Sequence, residues 1–402
     1  MVTGLRRRLL QLAPLFVLLA GPALAQVPSS PTLQFPYTQP PAEGVGVRKM
    51  PAPNPHWVLI NAPLYGNFIV SQVYVVDGDS RKIIGMLTTG MIATAAISPD
   101  HSRIFTGDTF FSRGTRGGRT DVITFYDSSS LDPVSEVVIP PKRQLAGPDN
   151  LQLGATSDGH LLLVANMTPA TSVTVIDIAA SKVLGEIPIT GCAEFQLTGN
   201  RQFASLCGDG SLLKVNFDDS GKSVGEKRSA VFFEPEKDPV YAAPAIINSE
   251  NYYVTYHGVV HPVDMSADPP APGSTWSLTS DQERAAGWRP GGSQPIWGHA
   301  SDGLLYALMH QGGEWTHKQP GSEIWVFNAK DGKRVERLSL PEPAAAIFVS
   351  PDDKPLIFAA TSTDILQIGA PPWSLQILSA ENGRYLGKID QMGGFPANMF
   401  GL

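Results

Sequence analysis

The chain has 402 residues, a formal net charge of −7 and no long run of basic residues, which argues against nucleic acids and anionic membrane surfaces as partners. Glycine and proline together supply 74 residues (39 + 35), about 18% of the chain, compared with a usual share of about 12%. Because they are spread between apolar runs, they indicate many short strands joined by turns.

The N-terminus is typical of a secretory signal peptide over residues 1–25. Three arginines precede an apolar run from Leu9 to Ala20, and the small residues of an Ala-Leu-Ala cleavage site end at Ala25. The run is shorter than the roughly 20 residues of a membrane-spanning helix, and Pro14 interrupts it. We therefore predict export to a bacterial periplasm, and a proline-rich, extended arm over residues 26–55.

A unit of two apolar strands joined by a polar turn recurs along the rest of the chain. Its copies start at Val73, Val122, Val173, Leu212, Tyr256, Ile324 and Leu375. A second hairpin precedes most copies, for example at "SPDH", "SDGH" and "TGNR", so that each repeat holds four strands, as in a propeller blade. A solenoid is the alternative, but it would need capping repeats.

The two ends of the repeat region favour a closed ring. The first unit begins at His56 without an innermost strand, and the last continues into a spare strand in "GGFPANMFGL". Pairing of these N- and C-terminal strands would remove the exposed sheet edges. The sequence therefore predicts an all-β fold, a seven-bladed β-propeller over residues 56–402 as one domain.

Cys192 and Cys207 are the only cysteines, and a disulfide is the usual state of a cysteine pair in an exported protein. The strands "CAEFQL" and "QFASLC" flank a turn predicted at Gly199 and Asn200, so the cysteines would face each other across an antiparallel pair. A CxxC motif and a third cysteine are both missing, which argues against a redox or metal role for the pair.

No catalytic set is recognisable in this chain. The sequence contains no GxSxG elbow, HExxH motif or phosphate-binding loop. His257 and His261 are four residues apart, which on a strand separates them by about 13 Å, too far for one metal ion. We therefore predict neither a metal site nor catalytic residues here, and interpret the fold as a binding platform.

Three stretches carry a family resemblance. They are "RAAGWRPGGSQPIWGHASDGLLYALMHQGGEWTHKQPGSEIWVFNAKDGKRV" from Arg284 to Val335, "FFSRGTRGGRTDVITFYD" from Phe110 to Asp127, and the cysteine hairpin leading into "CGDGSLLKV". With them the chain resembles the heavy subunit of methylamine dehydrogenase and of the related aralkylamine dehydrogenase. The resemblance extends with interruptions from Trp57 to Ile389.

The resemblance implies an α2β2 periplasmic enzyme that oxidises primary amines to aldehyde and ammonia. It implies that the cofactor, tryptophan tryptophylquinone, belongs to a light subunit, so that this chain carries no cofactor of its own. It also implies that electrons pass to a blue-copper protein of the amicyanin or azurin type. The heavy chain would then provide a docking surface and part of the substrate channel.

The resemblance also suggests roles for individual residues. An aromatic side chain of the first blade lines the family's channel, and its equivalent here is either Tyr65 or Phe68, with plain packing as the alternative. The methylamine enzyme has an arginine near the copper-protein contact where this chain has Gly208, which leaves the electron acceptor and the amine open. Trp288, Arg289 and Trp297 are candidates for packing or for contact with a partner, with Arg289 as a hydrogen-bonding clamp.

Two other functions remain open on the sequence. The chain could be a stand-alone periplasmic propeller that binds another partner without its own catalysis. It could also be a self-sufficient propeller enzyme such as a lactonase, but this would require a central metal or acid–base cluster.

Overall fold

The computed structural model describes residues 49–64, 69–362 and 373–401. Within these ranges the chain forms 29 strands and one short helix. The strands pair antiparallel in successive meanders, so the fold is an all-β propeller, as the recurring hairpins predicted. Residues 1–25, most of the proline-rich arm, Tyr65 and Phe68 lie outside the described residues.

The first three sheets follow one another along the chain. The first contains β1 (Trp57–Pro63), β2 (Ser71–Asp77) and β3 (Lys82–Thr89). The second contains β4 (Thr94–Ile97), β5 (Arg103–Arg113), β6 (Arg116–Asp127) and β7 (Pro133–Ile139). The third contains β8 (Leu153–Ala155), β9 (Leu161–Asn166), β10 (Ser172–Asp177) and β11 (Lys182–Pro188).

The fourth and fifth sheets are also separate units. The fourth contains β12 (Cys192–Gly199), β13 (Gln202–Cys207), β14 (Leu212–Phe217) and β15 (Ser223–Arg228). The fifth contains β16 (Ala245–Ile247), β17 (Glu250–Val254), β18 (Val259–Asp264), β19 (Ala271–Pro272) and β20 (Trp276–Ser277). Helix α1 (Asp281–Ala285) follows, and a capping box between Ser280 and Glu283 starts it.

The sixth sheet has eight strands. It contains β21 (Trp288–Pro290), β22 (Ile296–His299), β23 (Leu304–Gln311), β24 (Gly321–Asn328), β25 (Arg334–Val349), β26 (Leu356–Thr361), β27 (Trp373–Ser379) and β28 (Tyr385–Met392). The first half of β25 pairs with β24 and its second half with β26. The last strand of the chain, β29 (Asn398–Gly401), returns to the first sheet.

The prediction of seven separate blades is wrong. The described strands form five discrete blades, and the remainder is one continuous eight-stranded sheet. The cause is the 16-residue strand β25, which extends without a break past Pro341 and Pro343. These prolines lie where β25 has no ladder partner, so their missing N–H groups interrupt no pairing. Gln376 adds two side-chain hydrogen bonds to the Glu342 backbone between them.

The two ends of the propeller pair as the sequence predicted. β29 lies antiparallel to β1, with Leu59 opposite Phe400 and Ile60 opposite Met399. The pairing adds β29 as an edge strand of the first sheet, in the order β29-β1-β2-β3. Ahead of β1, the Met50 N–H donates to the Ser129 carbonyl oxygen at 2.6 Å.

The core lies between neighbouring sheets. Every residue of β1 and of β9 is buried, whereas β7 alternates, with Val137 and Ile139 buried and Val138 exposed. Phe105 and Leu162, for example, share one cluster between the second and third sheets. Burial of each large apolar side chain contributes about 1.5–3 kcal/mol, so inter-sheet packing provides the main stabilisation.

Candidate functional site

Two polar side chains that precede strands of the third and sixth sheets meet a backbone carbonyl group of the first sheet. Asn150 precedes β8, Gln294 precedes β22, and Met399 lies in β29. The Met399 carbonyl oxygen accepts hydrogen bonds from Asn150 Nδ2 and from Gln294 Nε2, both at 3.0 Å. Because the third, sixth and first sheets are far apart along the chain, these bonds connect sheets that are not consecutive in sequence.

Two carboxyl groups, Asp149 and Glu194, are close enough to influence each other's ionisation near this network. Burial raises the pKa of both, and the negative charge of Asp149 raises the pKa of Glu194 further. Burial lowers the pKa of the Lys318 ammonium, against the attraction of Asp149. Asp149 and Glu194 are half-buried, whereas Lys318 is exposed. Half-buried carboxyl groups that perturb each other's pKa are typical of a functional cleft.

Two buried glutamines hold the Glu194 carboxylate. Gln144 Nε2 donates to Glu194 Oε1 at 2.7 Å and Gln152 Nε2 donates to the same oxygen at 3.0 Å. Both glutamine side chains are more than nine-tenths buried, and the Oε1 atom of each has no hydrogen-bond partner among the described residues. Buried acceptors without donors are uncommon in folded proteins.

A β-bulge in β12 sets the direction of Glu194. Glu194 has φ +58°, the left-handed region that side-chain-bearing residues rarely adopt. The register between β12 and β13 shifts between Ala193 and Gln196, and Ser205 Oγ donates to the Glu194 carbonyl oxygen at 2.6 Å. Bulges re-aim side chains next to functional sites, and here the cost of the backbone conformation is about 1–3 kcal/mol.

A cavity of about 280 Å³ opens between the fourth and fifth sheets, with Glu194 in its wall. Phe195, Leu206, Phe233 and Tyr253 are among the apolar residues of its lining. Glu194 is the only carboxyl group among the described residues that line it. Sequence reasoning missed this site, because neither the bulge nor the meeting of the two sheets has a local sequence signal.

The disulfide borders the same cavity, with Cys207 in its lining. Cys192 and Cys207 are directly paired across β12 and β13, with S–S 2.03 Å and Cα–Cα 3.8 Å, so the predicted bond is present. The turn differs from the prediction: Gly199 pairs with Gln202, which puts Asn200 and Arg201 at its centre instead of Gly199 and Asn200. The bulges in β12 account for this shift of one residue.

The tryptophan-rich segment is built into the sixth sheet. Trp288 packs on Trp325 with ring centroids 5.1 Å apart, and the Arg337 guanidinium lies 5.0 Å from the Trp288 ring centroid. Trp297 packs edge-on against Phe348 at 4.9 Å. Both tryptophans stay partly exposed, so each has packing partners within the sheet and some surface left for a partner.

Arg289 lies in β21 opposite His310, and its Nε atom is buried without a hydrogen-bond partner among the described residues. Burial, together with the positive charge of Arg289, lowers the pKa of His310 to about 4. His310 Nε2 is 2.9 Å from Thr316 Oγ1. Next to them, the His317 ring stacks on Tyr256 at 3.8 Å. This histidine pair was not singled out from the sequence, where the two rings are seven residues apart.

His257 and His261 do not share a site. His257 Nδ1 lies 2.7 Å from Asp238 Oδ1, before β18, whereas His261 is within β18 and packs against Phe232 at 5.8 Å. Over residues 49–64, 69–362 and 373–401, no group of three or more His, Cys, Asp or Glu side chains is arranged to hold a metal ion. Over the same ranges, no helix is long and apolar enough to cross a membrane.

Comparison with known proteins decides the family. The sequence model of the methylamine dehydrogenase heavy chain (MADH) matches residues 56–400. The chain belongs to the methylamine dehydrogenase heavy-chain family. The heavy chain of Methylophilus methylotrophus is 30% identical over 338 residues, which is 83% of this chain and 81% of that relative. The heavy chain of Paracoccus versutus is 28% identical over 87% of this chain and 80% of its own length.

Solved structures with similar folds are more distant. The dihydro-heme d1 dehydrogenase NirN in complex with DHE superimposes with a TM-score of 0.54 at 15% identity, covering 90% of this chain and 78% of that one. The β-propeller domain of Cps50 (Swd1) from Myceliophteria thermophila gives 0.51 at 10% identity, covering 86% and 98%. At these identities the likeness shows the propeller fold alone. Membership of the heavy-chain family indicates a subunit of an amine dehydrogenase.

Proposed function

We propose that this chain is the heavy subunit of a periplasmic, quinone-dependent amine dehydrogenase that oxidises primary amines to aldehyde and ammonia. The observation that carries the proposal is the match to the heavy-chain family over residues 56–400. In the proposed enzyme two copies of this chain and two light subunits form an α2β2 heterotetramer. Electrons leave to a blue-copper protein of the amicyanin or azurin type.

In this proposal the light subunit carries tryptophan tryptophylquinone, and this chain carries no cofactor. The packed pair Trp288 and Trp325 is poorly suited to that chemistry. Trp325 is fully buried, its Nε1 donates to Glu323 at 2.6 Å, and Arg334 and Arg337 each lie 4.5 Å from its ring centroid. Such enclosure by two guanidinium groups leaves no approach for a substrate amine.

The role of this chain is then to bind the light subunit and to form part of the substrate channel. Tyr65 and Phe68 remain the proposed channel residues. Trp288 and Trp297, partly exposed on the sixth sheet, are proposed contacts for a partner. The hydrogen bonds by which Gln294 and Asn150 join different sheets support this role, because a docking surface must be rigid to position another subunit.

The test is co-expression of this chain with the light subunit and its maturation proteins. We expect the two chains to co-purify, and the complex to show quinone absorbance and amine-dependent dye reduction, assayed with methylamine and with aromatic amines. The control is this chain alone, which should show neither signal. Dye reduction by the single chain would contradict the proposal. Failure of the two chains to associate would favour a stand-alone binding propeller.

A further inference from the structure

We propose that Asn382 is a site of spontaneous covalent modification, at which the folded protein loses the side-chain amide as ammonia and gains a carboxylate. This inference does not depend on the proposed function. Asn382 is the only asparagine of the 402-residue chain that is followed by glycine. It is exposed in the turn between β27 and β28.

The modification requires only the chain and water. The Gly383 nitrogen attacks the side-chain carbonyl carbon Cγ of Asn382, so that the N–Cγ bond forms and the Cγ–Nδ2 bond breaks. Ammonia leaves with the proton of the Gly383 N–H, and a five-membered cyclic imide remains. Addition of water to Cγ opens the ring to aspartate, whereas addition to the backbone carbonyl carbon gives isoaspartate. No electrons are transferred, and one water is consumed for each ammonia released.

The turn holds the Asn382 side chain over the peptide group that must react. Asn382 Oδ1 accepts a hydrogen bond from the Arg384 N–H at 3.1 Å. This contact folds the side chain back over the following peptide, as in an Asx turn. Gly383, at φ +64°, has no Cβ that would shield its nitrogen from the carbonyl carbon. Both features favour closure of the ring.

One hydrogen bond opposes the attack. The Gly383 N–H donates to the Ser379 carbonyl oxygen at 2.9 Å, so the nitrogen reacts only when this bond is open. The turn leads into β28, the last strand of its sheet, and Glu381, Asn382 and Arg384 are exposed. Segments with few buried contacts open at a small cost in free energy. We therefore expect slower modification than in the unfolded chain, but faster modification than at the other asparagines.

The preceding repeat shows that an aspartate fits this turn. Asp331 and Gly332 occupy the same two positions between β24 and β25. Asp331 Oδ1 accepts from the Lys333 N–H at 3.0 Å, and the Gly332 N–H donates back to the Asn328 carbonyl oxygen at 2.9 Å. Gly332 has φ +68°, close to the value at Gly383. Aspartate at position 382 therefore preserves the turn and adds one negative charge to the surface.

Asn328 is a control within the same chain. Its Oδ1 accepts from the Lys330 N–H at 3.1 Å, the same contact at the same distance as at Asn382. The residue that follows is Ala329, whose Cβ hinders closure of the ring. Asn328 is also half-buried, whereas Asn382 is exposed. Both differences favour reaction at Asn382.

The test is incubation of the folded chain at mildly alkaline pH, followed by proteolysis and mass spectrometry of the peptides that contain Asn382 and Asn328. We expect the fraction of aspartate plus isoaspartate at Asn382 to exceed that at Asn328 several-fold. The chain unfolded in denaturant gives the reference rate for Asn382. Equal fractions at the two positions, or reaction at Asn382 in the unfolded chain alone, would overturn the proposal.

Variants assign the modification to this turn. Ion-exchange chromatography of the incubated wild type should resolve a more acidic form. Asn382→Gln should abolish that form, because glutamine would have to close a six-membered ring, and Asn328→Gln should leave it unchanged. Asn382→Asp should elute with the acidic form and unfold at the same denaturant concentration as the wild type. Persistence of the acidic form in Asn382→Gln would assign it to another residue and refute the proposal.

Discussion

Gln294 and Met399 are hydrogen-bonded in both directions although 105 residues separate them. Gln294 Nε2 donates to the Met399 carbonyl oxygen at 3.0 Å, and Gln294 Oε1 accepts the Met399 N–H at 2.9 Å. The same Nε2 also reaches the Ile347 carbonyl oxygen at 2.8 Å. One side chain thus joins β29, the strand that closes the ring, to the eight-stranded sheet.

Replacement of that side chain should destabilise the closed ring. Gln294→Leu removes partners of the buried Met399 N–H and of the Ile347 carbonyl oxygen, and we expect the free energy of unfolding to fall by about 2–4 kcal/mol. Denaturant unfolding measures the change. Gln282→Leu, on the exposed face of α1, is the control and should change stability by less than about 0.5 kcal/mol. Equal effects of the two variants would refute the bridging role.

Loss of the disulfide should cost stability through the unfolded state. The bond closes a loop with a sequence separation of 15, and the chain-entropy model assigns about 3 kcal/mol to such a loop. The double variant Cys192→Ala and Cys207→Ala suits the site, because both positions are buried. We expect its unfolding free energy to be lower by about that amount, and reductant to have little further effect. If the variant matches the oxidised wild type, the bond contributes nothing.

The free energy of unfolding should decrease as the pH is lowered, because His310 has a lower pKa in the folded chain than in the unfolded chain. Its pKa is lowered from 6.5 to about 4, by burial first and then by Arg289, so between these values the unfolded chain binds a proton that the native chain does not. The contribution of the neutral His310 ring to the free energy of unfolding is therefore fully present above about pH 6.5. It decreases towards pH 4, by at most about 1.4 kcal/mol per pH unit.

A difference measurement isolates this effect from the opposite contribution of Glu194, whose raised pKa makes stability fall as pH rises. The wild-type advantage over His310→Gln should shrink as the pH is lowered from about 6.5 to 4, measured by denaturant unfolding. His160→Gln alters an exposed ring and serves as the control. Parallel stability curves for wild type and His310→Gln would contradict the prediction.

Removal of the buried Arg143 charge should be strongly destabilising. The Arg143 guanidinium donates to the Met91 carbonyl oxygen at 2.9 Å and to the Ile92 carbonyl oxygen at 3.0 Å, and the buried Asp121 attracts it. Arg143→Met leaves these acceptors unpaired, and we expect a loss of about 3–5 kcal/mol.

The control for Arg143 is a surface ion pair. Arg103 lies 3.0 Å from Asp127 with both side chains about one-third exposed, and exposed pairs contribute about 0–1 kcal/mol. Arg103→Met should therefore change the unfolding free energy by no more than about 1 kcal/mol. If both methionine variants have similar small effects, Arg143 is not an anchor of the fold.

The features that depend on local sequence patterns could be predicted from the sequence. Alternating apolar runs and turn residues predicted the hairpins, the spare strand near the C-terminus predicted the pairing of β29 with β1, and the spacing about "TGNR" predicted the disulfide. These features depend on neighbouring residues, or on symmetry about one turn, so a single stretch of sequence contains them. The family resemblance, which the heavy-chain match confirmed, rests on such stretches too.

Only the tertiary structure could decide the rest. Whether β25 stops at Pro341 depends on its pairing partners on either side, so the count of separate blades could not be read from the repeats. The bulge at Glu194, the approach of Gln144 and Gln152 to its carboxylate, and the charge of Asp149 beside it join residues from different sheets. Ionisation and cavity shape depend on such long-range contacts through desolvation and Coulomb interaction, which no local pattern records.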